Sequence, residues 1–204
     1  MGSLANQPEL TCRDHHFVKK YSPRALTSCS NGDIAGPPSA TIVRAAGVPQ
    51  GSFTNHFESK EAFCLELLIR YFAMVQQNIT KTLRNDSLKP LHRLRQWFEI
   101  QFDFLKQADF RNGCLIGNFS AEVGAHSETI HAKLAQIHVE IHESVLYCLK
   151  AAVKSGELPG TVDCKELAHF LYSSLQGAIL QAKVERSPLP LKRFIKIAFS
   201  TILR

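Results

Sequence analysis

Residues 41–61 of this chain read Thr-Ile-Val-Arg-Ala-Ala-Gly-Val-Pro-Gln-Gly-Ser-Phe-Thr-Asn-His-Phe-Glu-Ser-Lys-Glu, and this stretch decides the fold. Gly47 can adopt the left-handed conformation that turns the chain between two short helices. Pro49 can then begin the second helix, because a first-turn residue needs no N–H donor. Phe53 and Phe57 are four residues apart, so both can anchor one face of that helix. The stretch predicts a helix-turn-helix.

The second helix of this motif has a short polar face. Its side chains can donate to and accept from base edges and phosphates in the major groove of DNA. They are Gln50, Ser52, Thr54, Asn55 and His56. The next helix begins at Ser59-Lys60, where free backbone N–H groups and the Lys60 ammonium favour a phosphate. The pattern therefore indicates a recognition helix for double-stranded DNA.

This stretch resembles the helix-turn-helix of the TetR family of transcriptional regulators over nearly its whole length. The resemblance implies that Gln50, Thr54 and Asn55 lie nearest the bases. It implies phosphate contacts for His56 and Lys60. The candidate DNA-binding set is Thr41, Arg44, Gln50, Ser52, Thr54, Asn55, His56 and Lys60. Many relatives have a tyrosine at the position of Thr54, whose shorter side chain reaches less far.

Residues 18–40 depart from the family pattern. Relatives have an amphipathic helix and a Gly-Tyr-x-x-Thr-Ser segment there, whereas prolines and glycines interrupt helical periodicity here, so the first helix of the expected domain is missing. Two interpretations stay open: genuine divergence, or two compensating frame changes in the gene or its sequencing, near Phe17 and near Thr41. When the codons of residues 31–39 are read in the shifted frame, codon degeneracy permits the sequence Arg-Gly-Tyr-Arg-Gly-Thr-Ser-Val, which contains the family segment. The nucleotide sequence over codons 15–42 distinguishes the two interpretations.

From residue 59 onward, apolar residues recur every three and four positions, which predicts successive amphipathic helices and an all-α fold. Ser59, Ser127 and Asp163 are suited to cap helix starts. We expect a DNA-binding domain over residues 1–60 and a helical ligand-binding and dimerisation domain over residues 61–204.

The last two predicted helices have wide apolar faces. The stripe of the first includes Phe170, and small residues accompany it: Ser173, Ser174, Gly177 and Ala178. Such faces suit a four-helix interface between two copies, and a homodimer through these helices is one interpretation. Burial within a single chain is the other, and periodicity alone does not separate them.

Residues 113–123 read Gly-Cys-Leu-Ile-Gly-Asn-Phe-Ser-Ala-Glu-Val and resemble a segment in one branch of the family, where the resemblance implies a ligand cavity among the middle helices. Asn118 and Glu122 are four apart on an otherwise apolar helix, so they present polar groups to one place. Flat apolar walls could come from Trp97, Phe98, Phe102 and Phe119. Each of these aromatic residues could instead be plain core. The resemblance thus predicts a small-molecule effector, whose identity the sequence does not reveal.

Metal chemistry is the main alternative for the histidines. His131, His138 and His142 are spaced by seven and four on one predicted helix, but Glu140 is one place too late for a zincin motif. A solvated helix face is favoured, with a metal-sensing regulator as the alternative. The six cysteines form no Cys-x-x-Cys pair, which favours reduced thiols over a disulfide framework or a zinc site.

The remaining patterns narrow the class of protein. A formal net charge of +6 fits contact with a polyanion, although the basic residues are spread along the chain. We find no nucleophile elbow or phosphate-cradling loop, and we therefore expect no enzyme and no cofactor. Apolar runs are too short or too charged for a signal peptide or a membrane span, which predicts a cytoplasmic protein.

These patterns together predict a homodimeric repressor that a small molecule releases from a DNA operator. The alternative is a ligand-binding or interaction protein, derived from such a regulator, that no longer binds DNA because of residues 18–40.

Overall fold

The structure, a computed structural model, describes residues 57–122 and 127–204. Its helices are α1 (Lys60–Lys81), α2 (Pro90–Gln107), α3 (Leu115–Glu122), α4 (Glu128–Lys154), α5 (Cys164–Glu185) and α6 (Leu189–Ile197), followed by a π-helical turn (Ala198–Ile202). The all-α prediction is confirmed for these residues. The segment 18–40 and seven of the eight candidate DNA-binding residues lie outside them: Thr41, Arg44, Gln50, Ser52, Thr54, Asn55 and His56.

Three helices begin where the sequence predicts. The side chains of Ser59, Ser127 and Asp163 accept hydrogen bonds from backbone N–H groups two or three residues further on, at 3.0–3.2 Å. Each bond satisfies a donor that the helix itself leaves free, and losing such a cap typically costs about 1 kcal/mol. Local chemistry therefore determines where α1, α4 and α5 start.

The loop between α2 and α3 contains several left-handed residues. Asp109, Phe110 and Gly113 have φ angles of 48°, 55° and 67°. The Phe110 ring is buried and packs edge to face on Phe102, with centroids 6.0 Å apart. Burial of this ring offsets the backbone strain of roughly 1 kcal/mol or more. The loop thereby fixes where α3 begins.

Helix α4 lies at the centre of the described residues and packs against α1, α2, α3 and α5, while α5 also packs against α6. The core between them is aromatic and aliphatic. Its largest fully buried side chains are Trp97, Phe98, Phe119, Leu68, Leu83, Leu94, Ile116, Ile130, Ile137 and Ile141. None of the helices in these two ranges is long and apolar enough to cross a membrane.

Helix α5 has two apolar faces. One is buried and consists of Ala168, Leu171, Tyr172, Leu175, Ala178, Ile179 and Ala182. The opposite face carries Phe170, Leu180 and Val184, whose exposed fractions are 53%, 59% and 77%. Phe170, which the sequence assigns to the apolar stripe of this helix, therefore lies outside the buried face within one chain. At 100° per residue, Phe170 points away from α4, in line with Gly177 and Val184.

Candidate effector site

Two clefts flank the start of α3, the short helix that the sequence singled out. The first, which we call the Tyr71 cleft, has a volume of about 480 Å³ and lies between Tyr71, Phe104 of α2 and the loop before α3. The second, the Gln176 cleft, has a volume of about 300 Å³ and lies between α3 and α5. Gly113 and Asn118 line both clefts. The start of α3 thus separates two spaces that a small molecule can enter.

Four polar side chains meet beneath these clefts, and we call them the polar centre: Tyr71, Cys114, Tyr172 and Gln176. The Tyr71 hydroxyl and the Gln176 amide both donate to the Cys114 sulfur, at 3.9 and 3.8 Å. The Tyr172 hydroxyl is buried and makes no hydrogen bond of ordinary geometry to the described residues. Two donors therefore share one thiol sulfur, which is a weak acceptor.

Both phenols of the polar centre remain protonated at neutral pH. Burial raises the pKa of Tyr71 well above its usual value, and the Cys114 thiol adds to the effect. Burial also raises the pKa of Tyr172, an effect that the neighbouring Gln176 amide partly offsets. Because the charged form is disfavoured, each hydroxyl acts as a hydrogen-bond donor.

Two more buried polar atoms lie next to Tyr172. The Trp97 indole nitrogen and His142 Nε2 have no hydrogen-bond partner among the described residues. The Trp97 ring centroid is 6.4 Å from that of Tyr172, and the His142 ring meets Tyr172 edge-on at 5.2 Å. Trp97 of α2, His142 of α4 and Tyr172 of α5 each place a polar group in the interior of the protein.

The nearby histidines add no positive charge at neutral pH. Burial lowers the pKa of His138, whose Nε2 lies 3.0 Å from the Ser120 hydroxyl. Burial also lowers the pKa of His142, followed by the effects of His169 and His138. Over residues 57–122 and 127–204, no three His, Cys, Asp or Glu side chains come together as a possible metal site.

The residues that the sequence predicts as ligand-binding are spread over several places. Asn118 lies at the clefts: its Nδ2 donates to the Asn112 carbonyl at 2.9 Å, and Lys183 Nζ donates to its Oδ1 at 3.4 Å. Trp97 and Phe119 are buried core residues. The side chain of Glu122 lies outside the described part of the chain.

Two other predicted residues lie on the far side of α2. Phe98 is fully buried and packs against Phe194 and Phe199, at 5.0 and 6.0 Å between centroids. Phe102 lines a separate groove of about 550 Å³ between α2 and the last helix. A ligand-binding role for the predicted set stays a prediction. Among its members with described side chains, only Asn118 lines the two clefts around α3.

Sequence reasoning missed the polar centre. Tyr71 and Tyr172 each occupy an apolar stripe, where a phenol looks like any other core aromatic. Their one distinguishing signal is the hydroxyl, which needs a partner when buried. Gln176 is a polar residue beside the buried face of α5, and this position was a second indication of a polar group in the interior.

At the other end of the molecule, the structure describes one candidate DNA-binding residue. Lys60 is the first residue of α1, directly after the Ser59 cap. Phe57, which the sequence predicts to anchor the recognition helix, packs edge-on against Phe63 of α1 at 4.9 Å. The phosphate contact expected for Lys60 stays a prediction.

Comparison with known proteins identifies the fold. A family model described as the tetracyclin repressor-like C-terminal domain matches residues 90–198. The transcriptional repressor DhaR of Mycobacterium sp. strain GP1 is 37% identical over 92% of this chain and 91% of its own length. The chain belongs to the TetR family of transcriptional regulators.

Solved structures of TetR-family proteins agree with this assignment. A regulatory protein TetR from Rhodobacter sphaeroides superposes with a TM-score of 0.79 at 30% identity, covering 89% of this chain and 95% of that one. Reduced Escherichia coli NemR gives a TM-score of 0.76 at 25% identity, covering 91% and 94%. The resemblance of residues 41–61 to the TetR helix-turn-helix therefore led to the correct family, and the chain is a transcriptional regulator.

Proposed function

We propose that this protein is a homodimeric repressor that leaves its operator when a small molecule binds at the clefts around α3. The observation that carries the proposal is that α1 joins the two sites: it begins at Lys60, at the end of the predicted helix-turn-helix segment, and supplies Tyr71 to a cleft. The relatives DhaR and NemR are both named as transcriptional repressors. Such a regulator acts in the cytoplasm, where bacterial DNA lies.

Helix α1 can transmit a displacement. Tyr71 is eleven residues beyond Lys60, which corresponds to about 16 Å along a rigid helix. The Ser127 hydroxyl donates to Glu61 and accepts from Ile130 N at 3.1 Å, so it also ties the start of α4 to the first turn of α1. A ligand that moves α3 or Tyr71 therefore acts on the helix that follows the recognition segment.

The exposed apolar face of α5 favours a second copy of the chain as its partner. Phe170, Leu180 and Val184 lie in one row on this face. Leu189 and Ile197 of α6 are also exposed, at 57% and 45%. A surface of large apolar side chains on two neighbouring helices is typical of a self-complementary interface. Dimerisation would set the spacing of two recognition helices.

Gel-shift assays test the regulator proposal. We expect the protein to retard DNA from upstream of its own gene and not a scrambled duplex of equal length, at physiological salt. Lys60→Ala removes one phosphate contact and should therefore weaken binding to both operator and nonspecific DNA. The slope of log affinity against log salt concentration should become shallower by about one. Equal affinity for both duplexes would contradict the proposal.

The departure at residues 18–40 favours a second candidate: a protein of this family that senses its ligand but has lost DNA binding. Comparing the chain as written with a frame-restored version separates the two. The first candidate requires operator binding by the chain as written. Binding by the restored version alone would establish the second.

A further inference from the structure

A groove of about 550 Å³ runs between α2 and the last helix, and we call it the α2–α6 groove. Cationic and apolar side chains line it: Arg95, Phe102, Lys192, Ile195, Lys196 and Phe199. None of these residues lines the Tyr71 cleft or the Gln176 cleft. The volume is within the usual range of small-molecule sites. The groove is therefore a candidate site separate from the clefts around α3.

Two helical faces meet across this groove. On α2, Arg95 and Phe102 are seven residues apart, and on α6, Lys192 and Lys196 are four apart. Residues at these spacings lie on the same side of a helix. Phe199 lies in the π-helical turn that follows α6, seven residues beyond Lys192. The two helices therefore present cationic and apolar side chains to one space.

The apolar side chains of the groove are held in place by the core. The Phe199 ring packs against the fully buried Phe98, with centroids 6.0 Å apart, and the Phe102 ring packs against the buried Phe110 at the same distance. Phe102, Ile195 and Phe199 are themselves only partly buried. Since all three line the groove, an apolar body placed there removes more of their surface from water.

The cations of the groove have little counter-charge. The Arg95 guanidinium lies over the Phe199 ring, 4.0 Å from its centroid, and this contact holds it at the groove. Glu99 approaches Arg95 no closer than 4.0 Å, which is beyond hydrogen-bond distance. Neither Lys192 nor Lys196 forms an ion pair with a carboxylate of the described residues. The groove thus has three cations and one carboxylate among its lining residues.

Charge and apolar surface together select the class of ligand. The carboxylate of an organic anion can pair with the exposed ammonium groups of Lys192 and Lys196 while its apolar part covers Phe102 and Phe199. A cation of the same shape would meet an excess of positive charge. A neutral molecule of the same shape would gain apolar contact alone.

We propose that the α2–α6 groove binds a small amphipathic carboxylate, with its apolar part on Phe102, Ile195 and Phe199 and its charged group at Lys192 and Lys196. The groove is a second small-molecule site of this protein. It shares no residue with the clefts around α3, so the proposal does not depend on the regulatory role of those clefts.

Four probes test the ligand class: octanoate, 1-octanol, octylamine and acetate. The first three have the same alkyl chain and differ in charge, whereas acetate has the charge without the chain. Isothermal titration calorimetry on the full chain measures their binding. We expect saturable binding of octanoate with an affinity at least about tenfold above those of the other three. Equal or tighter binding of any of these, or no saturable heat with octanoate, would overturn the proposal.

Matched double variants test the cations. Lys192→Gln/Lys196→Gln should weaken octanoate binding about threefold to tenfold and leave 1-octanol binding unchanged, since it removes two exposed ion pairs with the carboxylate. Lys150→Gln/Lys154→Gln is the control, because these lysines are exposed at the same spacing on α4 and line none of the described clefts. Circular dichroism verifies that each variant is folded. Unchanged octanoate affinity in folded Lys192→Gln/Lys196→Gln would rule out the site.

A third variant distinguishes the α2–α6 groove from the clefts around α3. Lys183 lines the Gln176 cleft and is its cation, so Lys183→Gln would weaken octanoate binding if the carboxylate lay there. We expect Lys183→Gln to bind octanoate with the affinity of the wild-type protein. A loss in Lys183→Gln as large as that in Lys192→Gln/Lys196→Gln would assign the carboxylate to the Gln176 cleft and overturn the proposal.

Discussion

At the scale of single residues, the Tyr172 hydroxyl is buried beside the Gln176 amide and forms no hydrogen bond of ordinary geometry to the described residues. Tyr172→Phe should therefore stabilise the free protein by about 1 kcal/mol. For a chain of this size that corresponds to a rise in Tm of about 2–4 °C, measurable by circular dichroism. Tyr147→Phe should lower Tm slightly, because its hydroxyl donates to Asp86 at 2.8 Å. A lower Tm for Tyr172→Phe would show that its hydroxyl already has a partner.

Two histidines make stability depend on pH. Burial lowers the pKa of His138 and His142, so the unfolded chain binds protons more readily than the folded chain. Their contribution is therefore fully present above the unfolded pKa of about 6.5 and is lost as pH falls through the lower folded pKa. Urea unfolding at a series of pH values should show decreasing stability from neutral pH toward pH 5.

Replacement of these side chains tests the origin of that decrease. His138→Gln/His142→Gln should flatten the pH dependence below neutral pH, while His131→Gln, an exposed residue of the same helix, should leave it unchanged. Glu143 opposes the shift of His142, whereas His169, with its ring centroid 4.0 Å away, adds to it. An unchanged slope in the double variant would assign the acid sensitivity to other groups.

At the scale of helices, the sequence predicts features that depend on neighbouring residues. It does not predict contacts between residues that are far apart in the chain. Ser127 and Asp163 cap their helices as expected, because a cap involves only the next three residues. The left-handed Phe110 was not foreseen, since its ring is held by burial against distant residues. The polar centre joins Tyr71 to Cys114, 43 residues apart, and no periodicity carries information about such a meeting.

Helix α3 allows a prediction about stability. In Gly117→Ala the new methyl group must push the Gln176 amide away, because they would be 2.8 Å apart. The flexible side chain can move, and alanine is favoured over glycine in a helix by about 1 kcal/mol, so Tm should change little. Gln176→Ala in the same chain should remove the crowding and raise Tm above that of the wild-type protein.

At the scale of the whole molecule, the unanswered question from the sequence was whether the wide apolar faces of the last two helices are core or interface. The structure shows that α5 has a buried apolar face and, on the opposite side, an exposed apolar face. Periodicity could not separate them because the two faces lie half a helical turn apart and both contain apolar residues. The inner face packs against α4 and α6, which leaves the outer face for a partner.

Val184→Glu tests whether that partner is a second copy of the chain. Val184 is 77% exposed, so a glutamate there is solvated in the free chain and leaves the core intact, but in a symmetric dimer it would bring a buried like charge from each copy. We expect the variant to be a folded monomer by light scattering and to lose cooperative operator binding. Val139→Glu is the matched control, because Val139 is 61% exposed on α4 and its variant should stay dimeric. A dimeric Val184→Glu protein would place the interface elsewhere and remove the proposed basis for the spacing of the two recognition helices.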